Sequence, residues 1–203
     1  MAEQHYFSEN PDTPERRRTV RVELAGRERA VQTANGIFSP DGVDKGTEAL
    51  LRRVPDAPES GTFLDIGCGW GPITLTLALE SPEATVIGVD VNQRSLGLTR
   101  DNAAALECSN VQALRPEDVP ADTTFDLIWS NPPIRVGKEA LHEILLMWLP
   151  RLKVGGEAYL VVQKNLGSDS LEAWLKAQLG SSYEIERFAR EKAFRVIAVR
   201  RNA

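Results

Sequence analysis

The stretch Thr62-Phe63-Leu64-Asp65-Ile66-Gly67-Cys68-Gly69-Trp70-Gly71-Pro72 decides how this chain is read. Thr62–Ile66 has strand character, and the proline after Gly71 starts a helix over Pro72–Leu79. Between them, glycines at 67, 69 and 71 make a tight turn. Without a Cβ in the way, the backbone N–H groups of such a turn can come close to a ligand. A buried strand that passes through this turn into a helix is the opening unit of a parallel α/β sheet.

The rest of the chain continues that alternation. Upstream, Thr19–Leu24 and Glu28–Thr33 alternate around Ala25-Gly26-Arg27 and predict a β-hairpin. Gly36 to Val43 reads as a loop. Asp44–Val54 has Ala49, Leu50 and Val54 at helical spacing, with Asp44 as its cap. Downstream, strands are predicted at Thr85–Val89, Val111–Leu114, Phe125–Ser130 and Ala158–Val162. Helices are predicted at Arg94–Leu106, Lys138–Leu149 and Ser170–Leu179, and Tyr183–Ala189 with Ala193–Val199 form a terminal antiparallel pair. The expected fold class is α/β: a Rossmann-like, doubly wound, mostly parallel seven-stranded sheet with an antiparallel C-terminal hairpin and a small N-terminal β-hairpin extension. One domain is expected over 1–203, with an arm and hairpin over 1–40 and the core over 41–203.

At 203 residues, 42% of them hydrophobic, the chain can bury a sizeable core in one domain. Cys68 and Cys108 show no metal-ligand spacing, and His5 and His142 are too sparse for a metal site, so none is expected. With no signal peptide and no apolar run of membrane-spanning length, the expected home is the cytoplasm, away from membranes. Against 24 basic residues stand 29 acidic ones, a net charge of −5 that does not suit a protein coated for phosphate backbones. Basic residues are local instead. Arg16, Arg17, Arg18, Arg21, Arg27 and Arg29 crowd the hairpin, offset by Glu15, Glu23 and Glu28, as either a solvated face or a nucleic-acid patch.

The glycine spacing departs from the dinucleotide fingerprint, which puts two residues between its second and third glycine. Asp65, two residues before the turn, would repel a phosphate and attract a cation such as the ammonium of a methionine-like tail. Asp90 ends the next strand, nineteen residues beyond Gly71, where a carboxylate can accept from ribose hydroxyls. Glu117 or Asp118, beyond the third strand, is placed to reach an adenine amine. This set resembles the S-adenosylmethionine site of the class I methyltransferases. Roughly sixty residues on, Asn131-Pro132-Pro133-Ile134 resembles the Asn-Pro-Pro-aromatic signature of those that modify amine or amide nitrogen. His5-Tyr6-Phe7-Ser8, Gly36-Ile37-Phe38-Ser39 and Val43-Asp44-Lys45-Gly46-Thr47 are similar to the opening of the small-domain methyltransferases related to ribosomal RNA guanine-N2 enzymes.

The resemblance implies S-adenosyl-L-methionine as cofactor, held by Asp65, Gly67, Cys68, Gly69, Gly71, Asp90, Val91, Asn92, Glu117, Asp118 and Asn131. Phe38 and Ser39 join them from a loop over the entrance, and Trp70 would wall the methionine pocket. Catalysis falls to Asn131, Pro132, Pro133 and Ile134. An exocyclic amine is a poor nucleophile because its lone pair is delocalised into the ring. Acceptors on the Asn131 side chain and the Pro132 carbonyl would hold both N–H groups, turn the lone pair and stabilise positive charge developing on nitrogen. The prolines preset those acceptors, and no strong general base is required.

Ile134 stands where the family has an aromatic residue, which forfeits base stacking worth about 1–3 kcal/mol. Phe38, Tyr6 and Phe7 are the candidates to replace that platform. Phe38, Arg135, Lys138, Arg16, Arg17 and Arg18 are the candidate substrate contacts, with Gln163-Lys164-Asn165 on the same edge; solvated loop polarity is the competing reading. Trp129, Trp148 and Trp174 read as core or interface residues, His142 as surface or capping, and Cys68 as small-residue packing. The implied reaction is methylation of guanine N2, with ribosomal RNA or a ribosomal subunit as partner. The longer ribosomal enzymes also carry a duplicated second domain, which is not expected here. A protein-glutamine methyltransferase, a small-molecule methyltransferase and a non-catalytic RNA-binding module are the alternatives, and both monomer and homodimer stay open.

Overall fold

Successive residues of a strand point to opposite faces, so a strand buried on both faces reads as an unbroken apolar run. Phe63-Leu64-Asp65-Ile66 and Leu127-Ile128-Trp129-Ser130 are buried throughout and apolar but for Asp65 and Ser130, and they pair in parallel at the centre of a sheet. The computed structural model describes residues 13–203. The start of the expected arm, with His5, Tyr6, Phe7 and Ser8, lies outside the described residues.

In chain order the elements are β1 (Arg17–Leu24), β2 (Arg27–Ala34), α1 (Lys45–Leu51), β3 (Ser60–Ile66), α2 (Pro72–Glu80), β4 (Glu83–Val89), α3 (Gln93–Ala105), β5 (Val111–Leu114), β6 (Phe125–Ser130), α4 (Lys138–Trp148), β7 (Leu152–Gln163), α5 (Ser168–Leu179), β8 (Tyr183–Glu191) and β9 (Phe194–Arg201). The large sheet has seven strands in the order β5-β4-β3-β6-β7-β9-β8, while β1 and β2 form a separate antiparallel pair. From β5 to β7 all neighbours are parallel; β9 runs antiparallel to both β7 and β8. The expected fold class holds.

Alternation divides the core in two. Phe63, Leu127, Trp129 and Val161 pack with Val22, Leu24 and Val31 of the hairpin, Leu50 of α1 and Leu77 of α2. Leu64, Ile128, Leu160 and Ile197 pack on the other face with Leu145 and Trp148 of α4 and Leu175 of α5. Each such side chain contributes about 1.5–3 kcal/mol when fully buried, which makes these two layers the main stabilising force.

Two elements differ from the sequence expectation. β7 starts at Leu152, six residues before the apolar run that predicts it, because pairing with β6 extends over Lys153–Glu157 through an irregular register. α1 stops at Leu51, because Arg53 and Val54 both donate to the Leu50 carbonyl and close the last turn ahead of Pro55. The chain leaves β3 toward β5 and returns at β6 on the other side of β3. The carboxyl ends of β3 and β6 therefore flank the switch point of the sheet, where ligands bind in folds of this kind.

Candidate active site

At the end of β3, the N–H groups of Gly67 and Cys68 both donate to the Val89 carbonyl, at 2.8 and 3.0 Å, which ties the turn to β4. Gly67 and Gly69 have φ of +79° and +57°, a left-handed backbone that favours glycine. A Cβ at Gly69 would meet nothing within 4 Å, so the turn opens on clear space; at Gly67 it would reach Pro133 Cδ at 3.8 Å. The glycine turn and the Asn-Pro-Pro loop thus lie side by side. One pocket between them is lined by Phe38, Ser39, Asp44, Thr47, Gly67, Cys68, Gly69, Trp70, Pro72, Ile73 and Asn131.

Asp90 closes the β4 side. Its carboxylate accepts from Gly69 N–H at 2.9 Å and Asn92 N–H at 2.8 Å. Burial raises its pKa, opposed by hydrogen bonds from the backbone of Asn92, Gly69 and Val91. The next residue, Val91, is exposed. The side chain of Asn92, expected at the cofactor, is engaged by the fold. Its Oδ1 caps α3 by accepting from Arg94 and Ser95 N–H, and its Nδ2 donates to the Gly36 carbonyl. Glu117 and Asp118 are exposed in a short 3-10 turn after β5, with Glu117 paired to Arg115.

Asp65 also sits differently from the expectation. Its carboxylate is fully buried and turned toward α2, where it accepts from Thr74 N–H at 3.0 Å and Thr74 Oγ at 2.7 Å. It does not line the pocket, so it offers no exposed charge to a cationic tail. Desolvation pushes its pKa up to about 7, against the lowering effect of Thr74. Among the described residues Oδ1 has no partner, and neither has the indole Nε1 of Trp129, the β6 residue in register with it.

The loop over the entrance is fastened from three sides. Asn92 holds Gly36, Arg94 donates to the carbonyls of Asn35 and Thr13, and Trp70 Nε1 donates to the Ser39 carbonyl at 3.2 Å. Ser39 itself adopts φ +47° and donates to the Gly42 carbonyl. Phe38 is left 42% exposed on the pocket rim. Below, Asn102 exchanges hydrogen bonds with both Gln32 N–H and its carbonyl and also donates to the Trp70 carbonyl, while Thr99 Oγ donates to the Gly69 carbonyl. Sequence reading missed these residues, yet a signal was present. Ser95, Thr99 and Asn102 occupy the inward face of α3, where polar side chains are unexpected.

Asn131 Nδ2 donates to Asp44 Oδ2 at 3.0 Å and to Thr47 Oγ at 3.2 Å. The Pro132 carbonyl already accepts from Ile134 N–H at 2.8 Å, which leaves it one lone pair. Ile134 is half-buried and packs against the core layer of α4 and α5, so it is not presented as a stacking platform. Arg135 lies in the 3-10 turn Ile134–Val136, and Lys138 is exposed at the start of α4. Lys164 and Asn165 are exposed beyond β7.

On the hairpin, two of the candidate substrate arginines meet acids of the chain itself. Arg17 pairs with Glu15 and Asp101, and Arg18 with Asp41, so both charges are matched within the chain; Arg16 is exposed. Cys68 Sγ is buried near Thr99, and burial raises its pKa well above the ordinary thiol value, consistent with packing. His142 stacks on Trp174 with centroids 3.5 Å apart, joining α4 to α5. Among the described residues no three His, Cys, Asp or Glu side chains converge on a point, and no helix is long and apolar enough to cross a membrane.

The residues present fit S-adenosylmethionine. A half-buried carboxylate aimed at the glycine turn, a left-handed Gly69 opening on clear space and an aromatic rim suit a ribose, an extended amino-acid tail and a flat base.

Comparison with known proteins agrees. The model of the methyltransferase small domain family matches residues 28–198. YbxB, an uncharacterised protein of Bacillus subtilis, is 34% identical over 170 residues, covering 82% of this chain and 85% of its own length. Ribosomal RNA small subunit methyltransferase C of Serratia proteamaculans is 31% identical over 177 residues, covering 84% of this chain and 49% of the relative. The solved 16S ribosomal RNA N2 guanine methyltransferase RsmC of T. thermophilus, in complex with AdoMet and guanosine, superposes with a TM-score of 0.77 at 26% identity, over 93% of this chain and 51% of that one. The chain thus spans about half the length of the ribosomal RNA enzymes it matches. Fold and site define a methyltransferase of the S-adenosylmethionine-dependent class. The chain belongs to the methyltransferase small domain family.

Proposed function

We propose that this protein methylates the exocyclic N2 of a guanine in ribosomal RNA, in the cytoplasm. The observation that carries the reading is one pocket in which Asn131 and the exposed ring of Phe38 meet the glycine turn. S-adenosylmethionine supplies a methyl group made electrophilic by its sulfonium. Asp90 and the turn Gly67–Gly71 hold the cofactor, with Val91 beside them. Phe38 stacks on the target base in place of the aromatic residue missing at Ile134. The Asn131 amide oxygen and the free lone pair of the Pro132 carbonyl accept the two N–H groups of the amine and stabilise its growing positive charge. Its proton then leaves to water. Arg135 and Lys138, just past the loop, meet phosphates near the target.

A second reading is favoured by the net charge of −5 and by the internal pairing of Arg17 and Arg18. A protein glutamine presents the same amide N–H geometry and suits an acidic enzyme better. The deciding experiment supplies labelled S-adenosylmethionine with isolated small and large ribosomal subunits, intact ribosomes and naked RNA, followed by nucleoside mass spectrometry. Label in N2-methylguanosine is the expected result. No label in any RNA, with cofactor binding confirmed by calorimetry, would overturn it and move the search to protein glutamine or to a binding role.

A further inference from the structure

A side-chain amide is nearly symmetric in shape, and only its partners decide which end is oxygen and which is NH2. For an amine-binding asparagine that choice is functional. Oxygen toward the pocket accepts an N–H; nitrogen toward the pocket repels it. Here the choice is made by α1. Both hydrogens of Asn131 Nδ2 are used, one by Asp44 Oδ2 and one by Thr47 Oγ. An ionised carboxylate can only accept, so a flipped amide would set lone pairs against lone pairs. Among the described residues the Asn131 side chain makes no other hydrogen bond, so Oδ1 stays unengaged on a residue that lines the pocket.

The device is itself held in place. Asp44 is the N-cap of α1, and the same Oδ2 accepts from Gly46 N–H at 2.7 Å. Thr47 is 3% exposed, one turn into the helix. Gly46 allows the close approach: a Cβ there would lie 2.9 Å from Asp44 Oδ2 and 3.1 Å from Asn131 Nδ2.

We propose that Asp44 and Thr47 are positioning residues that lock the polarity of the Asn131 amide, so that the site always presents an acceptor and selects substrates bearing an N–H donor. The inference rests on the N-methyltransferase reading of the site, whether the acceptor is a base amine or a protein amide.

The test is Asp44→Asn. Asparagine keeps the helix cap but can donate as well as accept, so it permits the flip. In the protein without cofactor or substrate, 15N-edited NMR reads the side-chain NH2 of Asn131, assigned by its loss in Asn131→Asp. Wild type should show both protons shifted and slow to exchange. Asp44→Asn and Thr47→Val should return one or both to the free position, and Thr47→Ser should restore them. With the wild-type acceptor, kcat should fall about 10- to 100-fold while KM for S-adenosylmethionine stays constant, the range expected of a misplaced reacting group. An Asn131 resonance unmoved by either variant, or wild-type kcat despite a moved resonance, would overturn the lock. If Asp44→Asn does not fold, Thr47→Val carries the test alone. Failure of the ribosomal RNA reading shows up separately, as absence of methylated guanosine with wild-type enzyme, and leaves the NMR result standing.

Discussion

In the proposed reaction Asn131 acts through a single oxygen atom. Removing it in Asn131→Ala should lower kcat by about 10²–10³-fold, the usual cost of losing one aimed hydrogen-bonding group in an active site. Cofactor affinity by calorimetry should change little, because Gly67 and Gly69 line the pocket and Asp90 holds the Gly69 N–H without any bond to Asn131. Near-normal turnover would remove Asn131 from the chemistry. Asp65 makes a different prediction, about pH. Its pKa is raised from 3.8 to about 7 by burial, so the folded protein holds a proton that the unfolded chain has released across that window. Its contribution is therefore most favourable below pH 4 and is lost as pH rises toward 7. At about 1.4 kcal/mol per pKa unit the change is on the order of 4 kcal/mol. Asp65→Asn cannot ionise, so the stability difference, variant minus wild type, should climb by that order between pH 4 and pH 7 in urea titrations. A flat difference curve would mean that Asp65 stays ionised throughout.

At the scale of elements, the hairpin β1-β2 and the loop after it are held less by strand pairing with the sheet than by side chains of α3. Asn102 satisfies the backbone of Gln32 in the way a neighbouring strand would, and Asn92 and Arg94 fix Gly36 and Asn35. Asn102→Ala would strand buried polar groups of Gln32 and Trp70, at a cost of about 1–3 kcal/mol each. Hydrogen exchange should then accelerate at Gln32 ahead of β3 and β6, and Kd for the cofactor should rise, because the Phe38-Ser39 loop rests on the same support. Uniform exchange across the hairpin and the central strands would refute this division. The same scale explains why α1 matters: a helix of seven residues and its N-cap supply both groups that hydrogen-bond the Asn131 amide.

Across the whole molecule, charge is distributed in matched pairs. Arg17, Arg18, Arg21 and Arg53 each meet an acid of the chain, and the net charge is −5. Exposed pairs of this kind add little stability, typically under about 1 kcal/mol. Their consequence is for binding, since an arginine already paired releases fewer counterions on meeting a phosphate. RNA binding should therefore depend weakly on salt, with a log–log slope shallower than about −3, fewer than about three to four phosphates neutralised. A slope near −6 in filter binding from 50 to 200 mM salt would show that the hairpin arginines leave their partners to grip RNA.

The sequence by itself determined the order of elements, the parallel sheet and the two loops at its switch point. Each of these is written in neighbouring residues: apolar runs, a proline opening a helix, glycines at alternate positions, Asn131 before two prolines. Local spacing reports local conformation, and the burial of central strands makes their runs unbroken. The tertiary structure decided which way the chemistry points. Asp65 turns inward to Thr74, Asn92 is consumed as a cap, and Arg17 and Arg18 are matched by Asp101 and Asp41. The polarity of Asn131 depends on residues 87 and 84 positions away, and the length of β7 on its pairing with β6. A hydrogen bond or ion pair between distant segments leaves no period in the sequence, because the partner is chosen by packing, and packing is set only when the two layers close on the sheet.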